Sequence, residues 1–263
     1  MVKNLSVGRY IETNSIIHKL DSRTKILTTI VFVTLLMTAF TWQHLSALAL
    51  YTFFMIFLTR IPVLIFLKGI RPLLTIIVIT AMLQILFSNS GTIYWQWGLF
   101  TISEFGLQNA GIIFIRFSLI IMITSVIGLS TKPLDLTAGI EKLLLPFKLI
   151  GFKVQDLAFM MSIALRFIPT LFEEANRLKK AQESRGMQFD EGSFFIRMKK
   201  LLPLFTPIFI GSFYRAQELA NTLDVRGYSS SAQRTKFKIS KLSSKDLIFT
   251  GITVILLLVY FIF

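Results

Sequence analysis

Long runs of apolar residues dominate this chain and restrict the folds that are open to it. Five of them cover about residues 26–42, 44–59, 70–87, 105–130 and 247–263. Four of the runs approach the roughly 20 residues that a helix needs to cross a bilayer, and the run 105–130 exceeds this length, since one helical residue rises about 1.5 Å. With 54% apolar residues, 26 Phe and only 16% charged residues, the composition is that of an integral membrane protein.

The placement of the basic residues predicts the orientation in the membrane. The formal net charge is +14, and the Lys and Arg residues lie almost entirely before residue 26, between 60 and 71, and from 131 to 246. The segment 88–104 has none and carries Tyr94, Trp95 and Trp97, residue types that favour a membrane interface. We therefore expect a multi-pass protein with a cytoplasmic N-terminus and an external C-terminus. The surplus positive charge then faces anionic lipid, and nucleic acid is not an expected partner.

Two long helix patterns between residues 155 and 227 are built alike. Each is apolar on all sides at its start, then keeps one apolar stripe among charged residues, and ends in Arg-Gly. Five residues of the first pattern recur in the second with the same spacing: Ala175, Leu178, Glu183, Arg185 and Gly186 become Ala216, Leu219, Asp224, Arg226 and Gly227.

These Arg-Gly ends have two interpretations. The positive charge of an Arg in a last turn interacts favourably with the helix dipole, and Gly readily adopts the left-handed conformation that ends a helix. One such end therefore indicates only capping. Two copies on helices of one design favour partner binding, in which each Arg contacts carboxylates or carbonyls of another protein.

The patterns divide the chain into four parts. The expected order is a cytoplasmic lead-in (1–25), four transmembrane helices (26–130), a cytoplasmic domain (131–245) and a final transmembrane helix (246–263). Within the third part, residues 131–151 predict a short amphipathic helix at the membrane surface. Residues 186–200 and 228–245 are expected to be solvated links.

Several polar residues near the apolar runs have predicted roles. Asp21 is expected to cap the first membrane helix, with Arg23 and Lys25 at the lipid headgroups. Arg116 lies inside an apolar run, where it either reaches outward to the interface or pairs with Gln84.

Arg166 lies in the most apolar part of the first long helix. Pro169 follows it and is expected to bend that helix.

Signatures of catalysis are missing from the sequence. It contains no Cys and only two His, His18 and His44. It has no GxxxxGK[ST] phosphate loop, no HExxH motif and no GxSxG motif. We therefore expect no catalytic residue, no metal site and no cofactor bound by this chain.

Several segments together resemble the transmembrane T component of energy-coupling factor (ECF) transporters, which are bacterial importers. They are LDSRTK, TKPLDLTAGIEKLLLPFKLIG, the ALRFIP helix and the two Arg-Gly ends, and the resemblance extends along nearly the whole chain. It implies an all-α integral membrane protein with about five transmembrane helices. It also implies a cytoplasmic coupling domain of one short and two long crossed helices.

The resemblance also implies partners and contact residues. Two ATP-binding-cassette (ABC) ATPase subunits, which bind the ATP, would receive the two helix ends in their grooves. The contact residues would be Ser184, Arg185, Gly186, Val225, Arg226 and Gly227. The family commonly has Ala where Ser184 and Val225 stand, and often Pro where Ser22 stands, which leaves both Arg contacts intact.

A membrane-embedded, substrate-binding S component is the third implied partner. It would lie on the apolar surface of the long helices near Met160, Met161, Phe205 and Phe209. ATP-driven motion passed through the helices would then release a vitamin or a metal ion inside the cell. Met and Phe suit such a surface because they repack against different partners, although ordinary helix or lipid packing also explains each of them.

Three other functions remain open. The chain could serve a dedicated cobalt or nickel system of the same family. A conventional ABC importer permease would need polar groups along its membrane helices and one coupling loop. A membrane enzyme acting on lipids would need acidic or His clusters, which the apolar runs lack.

Overall fold

A computed structural model describes residues 10–88, 91–97, 100–189, 191–229 and 243–262. The helices are α1 (Ser22–Thr38), α2 (Trp42–Thr59), α3 (Val63–Phe87), α4 (Glu104–Ser130), α5 (Pro133–Leu144), α6 (Val154–Ser184), α7 (Phe194–Val225) and α8 (Ser244–Ile262). Two strands, β1 (Ile93–Trp97) and β2 (Phe100–Ser103), and 3₁₀ turns at Ile17–Lys19 and Leu145–Ile150 complete the list. The predicted all-α membrane protein is confirmed.

Four helices in the described part of the chain are long and apolar enough to cross a membrane. These are α2, α3, α4 and α6. Helices α1 and α8, which the sequence predicted as spans, have 17 and 19 residues and lie outside this set. By contrast, α6 is long and apolar enough to cross a membrane, although we assigned it to the cytoplasmic domain. The predicted set of five spans therefore stays a prediction.

The chain divides into two compact units, with the boundary between Leu144 and Leu145. Helices α1–α5, the strands and α8 belong to the first unit, and α6 and α7 belong to the second. Helix α5 packs on α1 through Gly139, where a Cβ atom would lie only 2.9 Å from Cβ of Ser22. This close approach requires Gly. The predicted cytoplasmic domain at 131–245 includes α5, and that division stays a prediction.

Helices from both ends of the chain share the core of the first unit. Phe32 of α1 and Phe66 of α3 are fully buried. The ring of Phe32 stacks on Tyr51 of α2 at 5.1 Å, and the Tyr51 hydroxyl lies 3.2 Å from the Thr253 hydroxyl of α8. The final helix is therefore an integral part of this bundle.

A buried polar cluster joins the starts of α1 and α8. Asp21 caps α1 as predicted, because its carboxylate accepts a hydrogen bond from the Arg23 backbone N–H. Asp246 is 2% exposed and accepts from the backbone N–H groups of Asp21, at 2.8 Å, and Ser243, at 2.7 Å. One carboxylate thus accepts from two backbone donors where α1 and α8 meet, although these helices are separated by more than 200 residues of sequence.

Lys25 was wrongly predicted to reach the lipid headgroups. Its side chain is 3% exposed, and Nζ donates to the Ser130 carbonyl and the Thr131 hydroxyl, both at 3.1 Å. It thereby satisfies a backbone carbonyl at the end of α4. A buried ammonium group needs such acceptors, because desolvation otherwise disfavours its charge.

His18 stabilises the lead-in in its neutral form. Its Nε2 lies 2.9 Å from the Ile11 carbonyl, which can only accept, so this nitrogen carries the hydrogen, and Nδ1 accepts from the Ser15 hydroxyl at 2.7 Å. Burial lowers the pKa of His18, and the hydrogen bond to Ile11 opposes this effect only in part. This network holds the segment before α1 in place.

Arg116 contacts the end of α1 and not Gln84, which was one of its two interpretations. Its Nη2 donates to the Ala39 carbonyl at the end of α1, and the guanidinium lies over the Phe40 ring at 5.4 Å from the centroid. Ala39 follows the last helical residue of α1, where a backbone carbonyl lacks an intrahelical partner. Arg116 therefore supplies the missing donor.

The segment between α3 and α4 contains an antiparallel β-hairpin. Strand β1 pairs with β2 in a register that joins Ile93 to Ser103 and Trp97 to Phe100. Aromatic and β-branched residues favour such strands. Ser103 also caps α4 by accepting from the Gly106 N–H, so the hairpin sets where α4 begins.

The link between the long helices is shorter than predicted, since α7 already begins at Phe194. Two basic residues of α7 hold this link by donating to its carbonyls. Lys200 Nζ donates to Gln188 at 2.7 Å and Glu191 at 3.0 Å, and Arg197 Nε donates to Gly192 at 2.9 Å. Arg197 and Lys200 therefore donate to loop carbonyls that lie outside the hydrogen-bonding pattern of a helix.

Candidate functional site

Helix α6 ends in a Schellman cap. The Gly186 N–H donates to the Glu183 carbonyl and the Met187 N–H donates to the Gln182 carbonyl, both at 3.0 Å. Gly186 has a φ of 85°, which a residue with a side chain rarely adopts. The glycine in this Arg-Gly pair is thus explained by helix termination.

Helix α7 ends in the same way. The Gly227 N–H donates to Asp224 and the Tyr228 N–H donates to Leu223, both at 2.9 Å, and Gly227 has a φ of 70°. The sequence repeat therefore corresponds to a repeat in backbone geometry. Arg185 and Arg226 occupy the same position, the residue directly before the left-handed glycine.

The side chains of the two arginines do not take part in these caps. Arg185 and Arg226 are exposed, and neither guanidinium makes a hydrogen bond or ion pair with the residues that the structure describes. An arginine that served only its own helix end would donate to the last free carbonyls. Both guanidinium groups therefore have donors that no described residue uses, and these donors can bind carboxylates or carbonyls of another molecule.

The residues that precede the arginines differ between the two ends. The Ser184 hydroxyl donates back to the Lys180 carbonyl of its own helix at 3.0 Å. Val225 presents an apolar side chain that is 89% exposed. The α7 end therefore offers an apolar contact beside its cation, whereas the α6 end offers a small polar residue.

An ion pair joins the two long helices where they cross. Arg215 Nη2 of α7 lies 2.6 Å from Glu174 Oε2 of α6, and both side chains are half-buried. Gly211 leaves room for this carboxylate, since a Cβ atom there would lie 3.3 Å from Glu174 Oε1. Charge-assisted pairs of this length are strong when water is partly excluded.

A narrow cleft between the helices lies beside the ion pair. Its volume is about 190 Å³. The lining is mostly apolar and consists of Ile163, Phe167, Leu171, Ser212, Arg215, Ala216 and Leu219. One strong polar contact therefore joins the two helices where they cross. Side chains do not fill all of the space beside this contact.

The sequence repeat and the crossing coincide. Glu174 and Arg215 occupy equivalent positions of the repeat, and each lies eleven residues before its Arg-Gly arginine. At about 1.5 Å per residue, each arginine is roughly 16 Å beyond the crossing. The two arms of this pair are thus equal in length.

The helices run antiparallel, so the two ends point in opposite directions. Beyond the crossing, the Tyr228 ring that follows α7 stacks on Phe159 near the start of α6, at 4.8 Å between centroids. Arg185 and Arg226 therefore lie on opposite sides of the crossing. For straight helices their separation along the helix direction is at most about 33 Å.

The predicted S-component residues are exposed but do not form one cluster. Phe205 and Phe209 stack on each other, with 6.0 Å between their centroids. They lie on the side of the crossing that holds Arg185, because α7 reaches them before Arg215. Met160 and Met161 lie on the other side, near the end that holds Arg226.

Sequence reasoning missed the residues that hold the crossing, chiefly Glu174, Gly211 and Arg215. A signal was present, because opposite charges occupy equivalent positions of the repeat and can therefore face each other. The predicted Arg166 is an exposed residue of α6 and has no ionic partner within the described residues, and α6 continues through Pro169.

Comparison with known proteins identifies the family. Residues 13–237 match the CbiQ family, described as "Cobalt transport protein". The energy-coupling factor transporter transmembrane protein EcfT 1 of Listeria monocytogenes serotype 1/2a (strain 08-5578) is 43% identical over 256 residues, which are 97% of this chain and 96% of the relative.

Two further relatives carry the name energy-coupling factor transporter transmembrane protein EcfT. The protein from Lacticaseibacillus paracasei is 42% identical over 94% of each chain. The protein from Bacillus subtilis (strain 168) is 39% identical over 94% of this chain and 93% of its own. Since these matches extend over nearly the whole chain, the protein belongs to the EcfT family of energy-coupling factor transporter transmembrane proteins.

Proposed function

We propose that this chain couples two ABC ATPase subunits to a membrane-embedded S component that imports a micronutrient. The observation that supports this most directly is the pair of exposed arginines, Arg185 and Arg226, which have no ionic or hydrogen-bond partner among the described residues. They lie on opposite sides of a crossing that the Glu174–Arg215 ion pair holds together. The contact residues proposed for the ATPases are Ser184, Arg185, Gly186, Val225, Arg226 and Gly227. The ATPases would bind and hydrolyse the ATP, and this chain would bind no cofactor.

Two ends that point apart suit two similar partners better than one. Each guanidinium offers a planar set of donors that fits a carboxylate or carbonyl-lined groove. The identical caps present both forks on the same backbone geometry, so two copies of one kind of groove could receive them. Because both arginines lie at the same distance from the crossing, equal movements of the two partners would displace the crossing equally.

The ion pair between α6 and α7 supports a mechanical role. If the ATPases move together or apart, the two ends move with them, and the Glu174–Arg215 contact keeps the helices joined. Small sliding or hinge movements of packed helices are a common way to transmit such changes. We propose that the crossing converts this movement into a tilt of the S component.

The exposed apolar residues of the two helices support the S-component surface. Met160, Met161, Phe205 and Phe209 are each more than a third exposed, and apolar surface of this extent is typical of a partner or lipid contact. Since the two pairs lie on opposite sides of the crossing, the proposed S component would contact both helices at once. A tilt at the crossing would then act on it from two points.

Vitamins are the proposed substrate class, with a dedicated cobalt or nickel system as the alternative. The family description names cobalt, whereas the names of the relatives quoted above give no substrate. The resemblance assigns recognition to the S component, so the identity of that subunit decides between the two.

Purification of the tagged chain from its native membrane in mild detergent tests the proposal. We expect mass spectrometry to find two ABC ATPase subunits and at least one small membrane protein. ATP hydrolysis should appear in the complex and not in the chain purified alone, because the sequence has no phosphate loop. Recovery of the chain without any ATPase, or stoichiometric ATP binding to the isolated chain, would contradict the coupling function.

The proposed location is the bacterial cell membrane, with a cytoplasmic N-terminus and an external C-terminus. The absence of Cys makes this testable, since one introduced Cys is the only thiol. An impermeant thiol reagent should label Ser90→Cys and Phe263→Cys in intact cells and spare Gln233→Cys until the membrane is opened. All three positions lie outside the described residues. Labelling of position 233 from outside would reverse the proposed orientation.

A further inference from the structure

A large groove lies beside the end of α2, in the first unit. Its volume is about 1170 Å³, which exceeds the roughly 300–1,000 Å³ of pockets that hold drug-sized ligands. Residues of the lead-in, of α2, of the turn before α3 and of the start of α8 line it. A groove this large can hold a ligand with extended chains.

Three cations line the groove. Lys19, Arg60 and Lys245 line it, and no carboxylate does. All three are exposed, and none makes an ion pair or hydrogen bond within the described part of the chain. Asp246, the acidic neighbour of Lys245, is buried and already accepts from two backbone N–H groups. No described residue therefore neutralises these three positive charges through an ion pair or a hydrogen bond.

The backbone presents Arg60 to the groove in an unfavourable conformation. Its φ of 57° and ψ of 22° make it the one non-Gly residue with a positive φ among those described. Thr59 supports this turn, because its hydroxyl donates to the Ile56 carbonyl at 2.6 Å and accepts from the Ile61 N–H at 3.2 Å. Gly or Asn would fit the position with less strain, so a cation there suggests a use for its side chain.

An apolar wall leads away from these cations along α2. Leu50, Phe53, Phe54 and Phe57 line the groove at helical spacing and are mostly exposed, Phe57 to 81%. Ten residues separate Leu50 from Arg60, which corresponds to about 15 Å of helix. This equals half of the roughly 30 Å hydrocarbon thickness of a bilayer, and thus one leaflet.

We propose that this groove binds an anionic phospholipid. The phosphate lies among Lys19, Arg60 and Lys245, and the acyl chains follow the wall formed by Leu50, Phe53, Phe54 and Phe57. Basic pockets next to membrane helices bind anionic headgroups because the phosphate neutralises cations that would otherwise repel each other. The inference requires only that the chain is a membrane protein and does not depend on the proposed coupling function.

The test measures lipid binding to the full-length chain in detergent by native mass spectrometry. Phosphatidylglycerol and phosphatidylcholine with the same acyl chains are added over a range of concentrations. We expect one saturable site that prefers phosphatidylglycerol. The variant Lys19→Gln/Arg60→Gln/Lys245→Gln should bind it about a hundredfold more weakly, since each cation near a phosphate contributes roughly fivefold.

Two controls separate this site from general charge and from folding. The variant Lys68→Gln/Arg71→Gln/Lys148→Gln removes three exposed cations that do not line the groove and should bind like the natural chain. Both triple variants should unfold at the temperature of the natural chain, because all six residues are exposed.

Three outcomes would overturn the proposal. The first is equal affinity for the two lipids, and the second is an equal loss of binding in both triple variants. The third is complete displacement of the lipid by millimolar inorganic phosphate, which would indicate a simple anion site without an acyl-chain contact.

Discussion

The double variant Arg185→Glu/Arg226→Glu should insert into the membrane normally yet lose both ATPase subunits and all substrate uptake. Each proposed contact places a guanidinium against acceptors in a partner groove, and removing one member of such a pair costs about 2–5 kcal/mol. The introduced Glu adds repulsion where the groove is acidic. Loss at both ends leaves no attachment, so co-purification and uptake should both disappear.

The single variants should give partial effects. Arg185→Glu or Arg226→Glu leaves one end attached, so the ATPases should co-purify in reduced amount and uptake should fall. If the arginines served only as caps, each change would cost roughly 1 kcal/mol of local helix stability and would leave the partners bound.

A matched control keeps the charge change and spares both ends. Arg177 of α6 and Lys199 of α7 are exposed, and Arg177→Glu/Lys199→Glu changes the net charge as much as the double variant does. This control should retain its ATPases. Normal uptake by Arg185→Glu/Arg226→Glu would show that the two ends are caps alone.

The variant Asp246→Ala should destabilise the first unit more than any exposed substitution. It removes the acceptor of two backbone N–H groups, those of Asp21 and Ser243. A fully buried donor without a partner costs about 1–3 kcal/mol. Both hydrogen bonds are only partly buried, so the expected total is roughly 1–3 kcal/mol. Unfolding of the purified protein in detergent should therefore shift clearly to lower temperature.

Two comparisons make this prediction specific. Asp246→Asn keeps one side-chain oxygen as an acceptor and should lose roughly half as much stability. Glu173→Ala removes an exposed carboxylate on α6 and should change stability by less than about 0.5 kcal/mol. If Asp246→Ala unfolds like Glu173→Ala, the carboxylate does not hold α8 to α1.

The sequence by itself determined the features that depend on neighbouring residues. The apolar runs identified an all-α membrane protein, because the length and composition of a run decide whether a helix can lie in lipid. Asp21 was correctly predicted as a cap, and the ends of α6 and α7 were located by their Arg-Gly pairs. Caps are local interactions, within a few residues of the helix end, so their signals are local too.

The tertiary structure alone decided which polar groups meet across the fold. Lys25 lies against Ser130 and Thr131, and Arg116 lies against Ala39, at sequence separations of 77 residues or more. Each side chain was predicted to reach the membrane surface or a neighbouring helix, because nothing near it in the sequence shows the carbonyl that it satisfies. Helix ends leave such carbonyls free, and only the packing of the bundle determines which cation reaches them.

The crossing of α6 and α7 and the groove beside α2 depend on packing in the same way. The repeat contained Glu174 and Arg215, but their contact requires two antiparallel helices that meet at those positions. Lys19, Arg60 and Lys245 come from three separate parts of the chain and line one groove only after folding. Periodicity within a helix determines which face is apolar, whereas the assembly of several helices determines what that face and its neighbouring charges enclose.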